Sequence, residues 1–166
     1  MTAVADAGEI RVRVAEYAVG RGAALLTTVG LGSCVAIMLY DAATRIGGMA
    51  HVLLPEASAA RPDPNPAKFP GTAVPLLVEQ LRALGAVGAL KAKIAGGASM
   101  FSSLLAAGGG TNIGERNVDA TVRALATAGV PLLAQDTGGD YGRSVTLELT
   151  TGRVLVRSLK RGNVVI

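Results

Sequence analysis

The sequence has very few of the residues that usually carry chemistry or cross-link a small fold. It contains one cysteine, Cys34, and one histidine, His51, and it has no tryptophan, with aromatic residues making up 3% of its 166 residues. A single cysteine excludes an internal disulfide, and one cysteine with one histidine cannot supply a four-ligand zinc site without carboxylates. Since hydrophobic residues still make up 50% of the chain, the core must consist of closely packed Ala, Val, Leu and Ile side chains.

Charge and motif patterns argue against several classes of ligand. The 16 basic and 12 acidic residues give a net charge of +4, but the basic residues are scattered and have no interleaved aromatics, unlike a nucleic-acid surface. The glycine-rich run 108–114 lacks the preceding strand and the acidic ribose ligand of a dinucleotide site, and the chain has no Gly-Lys-Ser or Gly-Lys-Thr of a phosphate-binding loop. We therefore expect no nucleic-acid partner, no metal and no organic cofactor.

Two uncharged stretches, residues 22–40 and 94–114, are candidates for membrane spans. Each exceeds the length of about 18 apolar residues that a spanning helix needs. Glycine and hydroxyl residues interrupt both, which favours buried strands and turns instead. The N-terminus has no basic region and no long apolar region, so it does not resemble a signal peptide. We expect a cytoplasmic protein without membrane insertion, in which the Cys34 thiol stays reduced.

Hydrophobic periodicity predicts an α+β fold. Helical spacing predicts two main helices, at residues 71–84 and from about Val118 to Gly129, and a short helical segment at 99–105. Because strands and helices do not alternate strictly, we expect an α/β sandwich with a mixed, largely antiparallel sheet. Alternating or continuous apolar runs predict strands at residues 10–17, 24–29, 34–39, 49–54, 90–95, 131–134, 144–149 and 154–159.

The chain length fits one domain, and we assign residues 1–166 to it, with a core from about residue 10 to residue 158. Residues 1–8 are small and polar and predict a loose start, and Arg21-Gly22 predicts a turn. The C-terminal residues 161–166 predict either a frayed end or a docking tail.

Cys34 and His51 are the candidate reactive pair. Cys34 follows the glycine-rich turn Gly30-Leu-Gly-Ser33 and opens a strand, where backbone N–H groups can lower the pKa of a thiol. If His51 ends the next antiparallel strand, a hairpin brings both residues to the same end of the sheet. A lone cysteine is more commonly a small buried hydrophobe, and a lone histidine in an apolar strand is more often packed than catalytic. The residues alone therefore leave both interpretations open.

Five ordered motifs add a resemblance to a known family. They are Gly30-Leu-Gly-Ser-Cys34-Val-Ala, Ala50-His51-Val-Leu-Leu-Pro55, Ala92–Phe101, Asn112–Asn117, and Asp136-Thr-Gly-Gly139 with Arg143. Over about residues 10–158 they resemble CheD, the family of chemoreceptor glutamine deamidases of bacterial chemotaxis. The stretch Leu104–Gly110 departs from the pattern, because it is longer and richer in glycine than the usual family loop.

The resemblance implies a role for each residue of the nucleophile segment. Cys34 is implied to be the nucleophile, His51 its base and Thr28 the third member of a triad, with Thr27 as the competing assignment. We expect backbone N–H groups at Ser33 and Cys34 to form an oxyanion hole. The remaining candidates are Gly30 and Gly32, which let the backbone approach the substrate, and Gly96, Gly97 and Ser99, which we assign to the substrate pocket.

The resemblance also implies a fold similar to the catalytic domain of the cytotoxic necrotizing factor toxins, and partners that belong to chemotaxis. The implied substrate is a methyl-accepting chemotaxis receptor, whose glutamines become glutamates with release of ammonia through a Cys34 thioester. A CheC-type phosphatase is an implied partner in part of the family. Two alternatives stay open, namely a thiol methylesterase or amidase on the same scaffold, and a regulatory module that docks to receptors or a phosphatase and has only secondary catalysis.

Overall fold

The strands form one mixed sheet in the computed structural model, which describes residues 3–101 and 112–166. Within these described residues, two α-helices accompany the sheet, α1 (Pro70–Leu84) and α2 (Ile113–Thr127), and a short 3-10 helix, Pro66–Lys68, precedes α1. The strands are β1 (Ala3–Arg11), β2 (Tyr17–Leu31), β3 (Val35–Asp41), β4 (Ile46–Val52), β5 (Lys91–Gly96), β6 (Leu132–Thr137), β7 (Arg143–Glu148), β8 (Val154–Ser158) and β9 (Gly162–Val165).

The strand order is β6-β5-β3-β4-β2-β7-β8-β9, with β1 pairing to β2. The pairs β1–β2 and β5–β6 are parallel and the other pairs are antiparallel. The long strand β2 pairs with β4 in its first part and with β7 in its second part, so the sheet curls into a half-barrel at β2. These features confirm the α+β prediction of a mixed, largely antiparallel sheet with two main helices.

The two faces of the central strands are both buried, against different partners. On one face Val35, Ile37 and Leu39 pack with Leu77 of α1 and Leu125 of α2. The other face lies inside the curled sheet, where Cys34, Ala36 and Met38 pack with Met49 and with residues of β2, β7 and β8. Burial on both sides explains why β3 is a continuous apolar run without alternation. The residues of the reactive pair belong to the inner face.

The two chain ends are more ordered than the sequence predicts. The predicted loose start is wrong from residue 3 onward, because β1 covers Ala3–Arg11 and pairs in parallel with β2. Arg21-Gly22 is not a turn but lies inside β2, where Gly22 has a φ of 66°. Residues 162–165 form β9 against β8, in place of the predicted frayed end or tail. Alanine and glycine have weak strand preference, so periodicity does not predict strands in these segments. They form strands because they pair with a neighbouring strand.

Helix α1 follows its predicted extent, whereas helix α2 is longer than predicted. Helix α1 agrees with the predicted 71–84 and ends at Gly85, whose φ of 110° suits a left-handed cap. Helix α2 starts earlier than predicted, since the Asn112 side chain accepts a hydrogen bond from the Glu115 N–H. Val122, which lies at helical spacing from Val118 and Leu125, is 41% exposed. The residues of α2 that are buried are Gly114, Asn117, Thr121 and Leu125.

Several predictions fall partly or wholly outside the described residues. The predicted helical segment 99–105, the glycine-rich loop before α2 and the long stretch Leu104–Gly110 all include residues between 101 and 112, which the structure does not describe. Of the two candidate membrane spans, residues 22–40 form parts of β2 and β3. Among the helices of the described ranges, none has the length and apolar character needed to cross a membrane.

Candidate active site

The turn before Cys34 is fixed by backbone contacts from the end of β5. Gly30 has a φ of 73°, a conformation that other residues adopt only with strain. The Gly97 N–H donates to the Cys34 carbonyl at 2.8 Å, and the Ala98 N–H donates to the Gly32 carbonyl at 2.8 Å. A Cβ atom at Gly96 would lie 2.2 Å from the Cys34 carbonyl oxygen. Glycine is therefore required at position 96, so that the end of β5 can approach the turn before Cys34.

The strand register brings Cys34 and His51 to the same end and the same face of the sheet. His51 pairs with Ala36 across β3 and β4, and Cys34 lies two residues before Ala36. Alternate residues of a strand face the same side, so Cys34 and His51 are diagonal neighbours, with Cα atoms about 7–8 Å apart in standard geometry. Cys34 is 7% exposed and His51 is fully buried. The hairpin thus places Cys34 and His51 at the same end of the sheet and on the same face.

Thr28 fixes the orientation and the tautomer of His51. The Thr28 hydroxyl lies 2.7 Å from the His51 Nδ1 and also donates to the Val12 carbonyl at 2.7 Å. A carbonyl can only accept, and a hydroxyl has one hydrogen to donate, so Oγ1 must accept from an Nδ1–H. His51 then has a free lone pair on Nε2, which has no hydrogen-bond partner among the described residues. An unprotonated Nε2 is the form required of a general base.

Thr27, the competing candidate, points away from His51. Its hydroxyl donates to the Glu9 carboxylate at 2.9 Å, on the partly exposed side of β2. Thr28 is fully buried on the opposite side. The alternation of β2 therefore leaves Thr28 as the threonine next to the imidazole.

Burial sets the charge state of the reactive pair. Burial raises the pKa of the Cys34 thiol above its ordinary value, and the residue's own backbone N–H offsets part of this shift. Burial lowers the pKa of His51 from 6.5 to about 4. Both shifts favour the neutral form, because desolvation penalises a charge. At neutral pH the resting pair is a thiol and a neutral imidazole.

The backbone of His51 is held by the turn that joins β1 to β2. The His51 N–H donates to the Glu16 carbonyl at 3.0 Å, and the His51 carbonyl accepts from the Ala15 N–H at 2.8 Å. Ala15 has a φ of 59°, which is unusual for a residue other than glycine. Val12 belongs to the same connection and accepts from Thr28. This support was not predicted, because backbone carbonyls leave no signature in a sequence.

Asn117 of α2 also contacts the site, although no pattern in the sequence assigns it a role. Its amide donates to the Ser33 carbonyl at 2.8 Å and to the Leu53 carbonyl at 3.1 Å. Asn117 is fully buried. The available signal was a stripe of small and polar residues at helical spacing, Gly114, Asn117 and Thr121, within a motif that was noted only for its resemblance.

Of the predicted pocket residues, Gly97 and Ser99 line cavities, whereas Gly96 supports the turn before Cys34. Ser99 borders two adjoining cavities, one of about 220 Å³ shared with Ser33 and one of about 260 Å³ shared with Gly97. Gly96 lies under the Cys34 carbonyl and supports the turn rather than an open surface. A larger groove of about 720 Å³ lies between α1 and α2, with Pro75 and Arg123 on its two sides, and the triad residues do not line it.

The motif that contains Asp136 and Arg143 braces the wall of these cavities. Arg143 has a fully buried side chain that donates to the Asp136 carboxylate, the Gly138 carbonyl and the Tyr141 hydroxyl. The loop it organises bonds to the end of β5 through the Gly138 N–H and the Gly96 carbonyl, at 3.0 Å. The loop after β6 is thereby tied to the loop that supports Cys34.

Metal-binding groups do not gather at this site. Within residues 3–101 and 112–166, no three side chains of His, Cys, Asp or Glu are arranged so that they could hold a metal ion. The polar groups near Cys34 are a hydroxyl, an imidazole and an amide, which suit proton transfer and hydrogen bonding.

Comparison with known proteins identifies relatives over almost the whole chain. "Probable chemoreceptor glutamine deamidase CheD" of Pyrococcus abyssi is 45% identical over 158 residues, which is 95% of this chain and 96% of the relative. "Chemoreceptor glutamine deamidase CheD" of Thermotoga maritima is 47% identical over 152 residues, 91% of this chain and 92% of the relative. The family described as CheD chemotactic sensory transduction matches residues 53–158. With that match and these identities, the chain belongs to the CheD family.

Proposed function

We propose that this chain is a chemoreceptor glutamine deamidase that uses Cys34 as a covalent nucleophile, His51 as its base and Thr28 as the residue that orients His51. The relatives named above are chemoreceptor glutamine deamidases and cover nearly the full length of the chain. The observation that supports the catalytic assignment is the hydrogen bond from His51 Nδ1 to Thr28, which leaves Nε2 without a partner among the described residues. The deamidase domain corresponds to residues 1–166.

The first step transfers the Cys34 proton to His51. The neutral thiol gives its proton to Nε2, and the thiolate attacks the carboxamide carbon of a receptor glutamine. A new C–S bond forms, and the electron pair of the carbonyl moves to its oxygen. Backbone N–H groups at Cys34 and the Ser33 turn then stabilise this oxyanion, an effect that is worth about 100–1,000-fold in rate for each donor.

The second step releases ammonia and then glutamate. The imidazolium gives its proton to the departing nitrogen, the C–N bond breaks, and a glutamyl thioester remains on Cys34. His51 then takes a proton from water, the hydroxide attacks the thioester carbon, and the C–S bond breaks to regenerate the thiol. Thr28 keeps the proton on Nδ1 throughout, a role that a carboxylate has in other triads. The step balances with water as the only co-substrate and ammonia as the only other product.

The product explains why such a reaction changes signalling. Each turnover replaces a neutral amide of a receptor by a carboxylate and so adds one negative charge to a helix surface, where charge pairs three and four residues apart affect stability. Two finer inferences stay proposals. They are a CheC-type phosphatase as a second partner, and a likeness of the half-barrel to the catalytic fold of the cytotoxic necrotizing factor toxins.

The test is mass spectrometry of a chemoreceptor cytoplasmic fragment incubated with the wild type, Cys34→Ala and Cys34→Ser. We expect the wild type to convert glutamines to glutamates and both variants to be inactive with unchanged melting temperatures. Acid quenching during turnover should trap a mass adduct of enzyme and peptide that hydroxylamine removes, because hydroxylamine cleaves thioesters.

The outcomes separate the proposal from its alternatives. Loss of a methyl ester without deamidation supports the methylesterase, and binding of the fragment without any mass change supports the docking module. Full activity of Cys34→Ala contradicts the nucleophile assignment whichever reaction is found.

A further inference from the structure

Asn117 is a buried amide whose orientation follows from its two partners. Both groups within reach of its Nδ2 are carbonyl oxygens, those of Ser33 and Leu53, at 2.8 Å and 3.1 Å. Carbonyls only accept, so the NH₂ must face them and the Oδ1 must point elsewhere. Oδ1 is buried and has no partner among the described residues. A buried acceptor without a partner is costly, which indicates that this position is selected for its two donors.

The bond to the Ser33 carbonyl determines where the Cys34 N–H points. In a planar trans peptide the C=O of one residue and the N–H of the next point in opposite directions, and no cis peptide bond occurs in the described ranges. Because the Ser33 carbonyl faces α2, the Cys34 N–H is directed away from α2. The same N–H belongs to the residue that carries the attacking sulfur, so covalent geometry keeps the two groups close together. An N–H next to the attacking sulfur is well placed to meet an oxyanion.

The bond to the Leu53 carbonyl holds the strand of His51. Leu53 follows the end of β4 and lies two residues after His51, while Ser33 lies one residue before Cys34. One side chain from α2 therefore fastens both the start of β3 and the end of β4. Gly114, one turn earlier on α2, allows this approach, because a Cβ there would lie 2.3 Å from the Ala98 carbonyl oxygen.

We propose that Asn117 is a positioning residue for deamidation, which aims the Cys34 N–H at the oxyanion. This inference rests on the proposed function, since it assumes attack by Cys34. Asn117 acts through the backbone and does not itself contact the substrate. Its loss should lower the rate of the step in which the oxyanion forms and leave substrate binding nearly unchanged.

The test compares Asn117→Asp and Asn117→Ala with Thr121→Val in the full chain. Asp has the shape of Asn but presents acceptors to two carbonyls, and Ala removes both donors without adding a charge. Thr121 is a control for a buried hydroxyl on the same helix, because it is fully buried one turn further along α2 and donates to the Asn117 backbone carbonyl at 2.8 Å, a bond that does not involve the Asn117 side-chain amide. Deamidation kinetics on the receptor fragment, melting temperature and the rate of Cys34 alkylation by iodoacetamide are measured for each variant.

We expect both Asn117 variants to lose about 100-fold or more in kcat, the range found for removal of an oxyanion donor, with little change in KM. Alkylation by iodoacetamide is a displacement without an oxyanion, so its rate and pH profile should stay close to those of the wild type. Thr121→Val should lose stability without losing kcat.

Three results would overturn the inference. They are a kcat for folded Asn117→Ala equal to that of the wild type, an equal loss of kcat in Thr121→Val at the same melting temperature, and a parallel loss of alkylation rate. Cys34→Ala, assayed in the same series, separates the two proposals. If it stays active the proposed function fails, whereas if it is inactive and Asn117→Ala is fully active only the present inference fails.

Discussion

Two buried polar clusters of this protein differ in how completely their hydrogen bonds are satisfied. Around Arg143, the guanidinium bonds to Asp136, to the Gly138 carbonyl and to the Tyr141 hydroxyl, and it also stacks over the Tyr141 ring at 4.2 Å. Around His51, the imidazole bonds through Nδ1 only, and its Nε2 has no partner among the described residues. Each guanidinium nitrogen of Arg143 has a hydrogen-bond partner, whereas the Nε2 lone pair of His51 has none among the described residues.

This difference distinguishes a cluster that supports the structure from one that can take part in a reaction. A fully paired buried cluster stiffens a loop and specifies its geometry. Burying a group whose lone pair has no partner costs desolvation free energy, and a functional role explains why the protein retains such a group. In this protein the paired cluster braces the loop behind the cavities, and the unpaired one lies at the same end and on the same face of the sheet as the single thiol. The following variants test whether this division holds, in order of decreasing expected effect.

Removing the free lone pair should have the largest effect. His51→Gln keeps a polar side chain of similar size but cannot accept and return the Cys34 proton, so we expect deamidation to fall by about 100–10,000-fold. Ammonia release from a receptor fragment measures this loss. A variant that is folded by circular dichroism and keeps more than a tenth of the activity would show that His51 is not the base.

Breaking the paired cluster should reduce stability more than chemistry. Arg143→Met leaves the Asp136 carboxylate without its buried partner, and we expect the free energy of unfolding to fall by about 3 kcal/mol. The control is Lys160→Met, which removes an ion pair with Asp140 whose side chains are 59% and 51% exposed. Exposed pairs contribute at most about 1 kcal/mol. Equal losses in urea denaturation of the two variants would contradict the structural role of Arg143.

Acid should destabilise the protein through His51. Its pKa is about 4 in the folded state against 6.5 ordinarily, so between these values the unfolded chain binds more protons. Stability is therefore lost as pH falls through this window, by about 3 kcal/mol from this residue. Urea denaturation of the wild type and His51→Gln from pH about 7.5 to about 4 checks this. The stability difference between the two must shrink on acidification, and a constant difference would contradict the assignment.

Changing the orienting hydroxyl should have the smallest of these effects. Thr28→Val keeps the shape but removes the acceptor of Nδ1–H, so both tautomers become available and we expect a loss of about 10–100-fold in kcat, or about 1.4–2.7 kcal/mol. Thr28→Ser should retain most activity. Thr27→Val is the matched control, because its hydroxyl faces Glu9, and a loss of activity there equal to that of Thr28→Val would contradict the assignment.

Much of the site is predictable from the sequence because its parts are local. Cys34 and His51 lie on two consecutive strands, and a hairpin register follows from chain order and strand periodicity. The choice between Thr27 and Thr28 is different, because it depends on which face of β2 meets β4 across the curl of the sheet. Asn117 could not be assigned from periodicity, since hydrophobic spacing predicts the apolar side of a helix and the side of α2 that meets the site is small and polar.

The sequence by itself determined the α+β class, the two main helices, the central hairpin and the single thiol and imidazole, because each depends on periodicity, turn residues or residue counts. Tertiary structure decided the rest. The curl of β2 directs Thr28 to His51, the turn after β1 holds the His51 backbone, and α2 brings Asn117 to the Ser33 and Leu53 carbonyls. These contacts join residues far apart in the chain, and all but the Thr28–His51 bond are hydrogen bonds to backbone atoms, which every sequence contains and no residue type identifies.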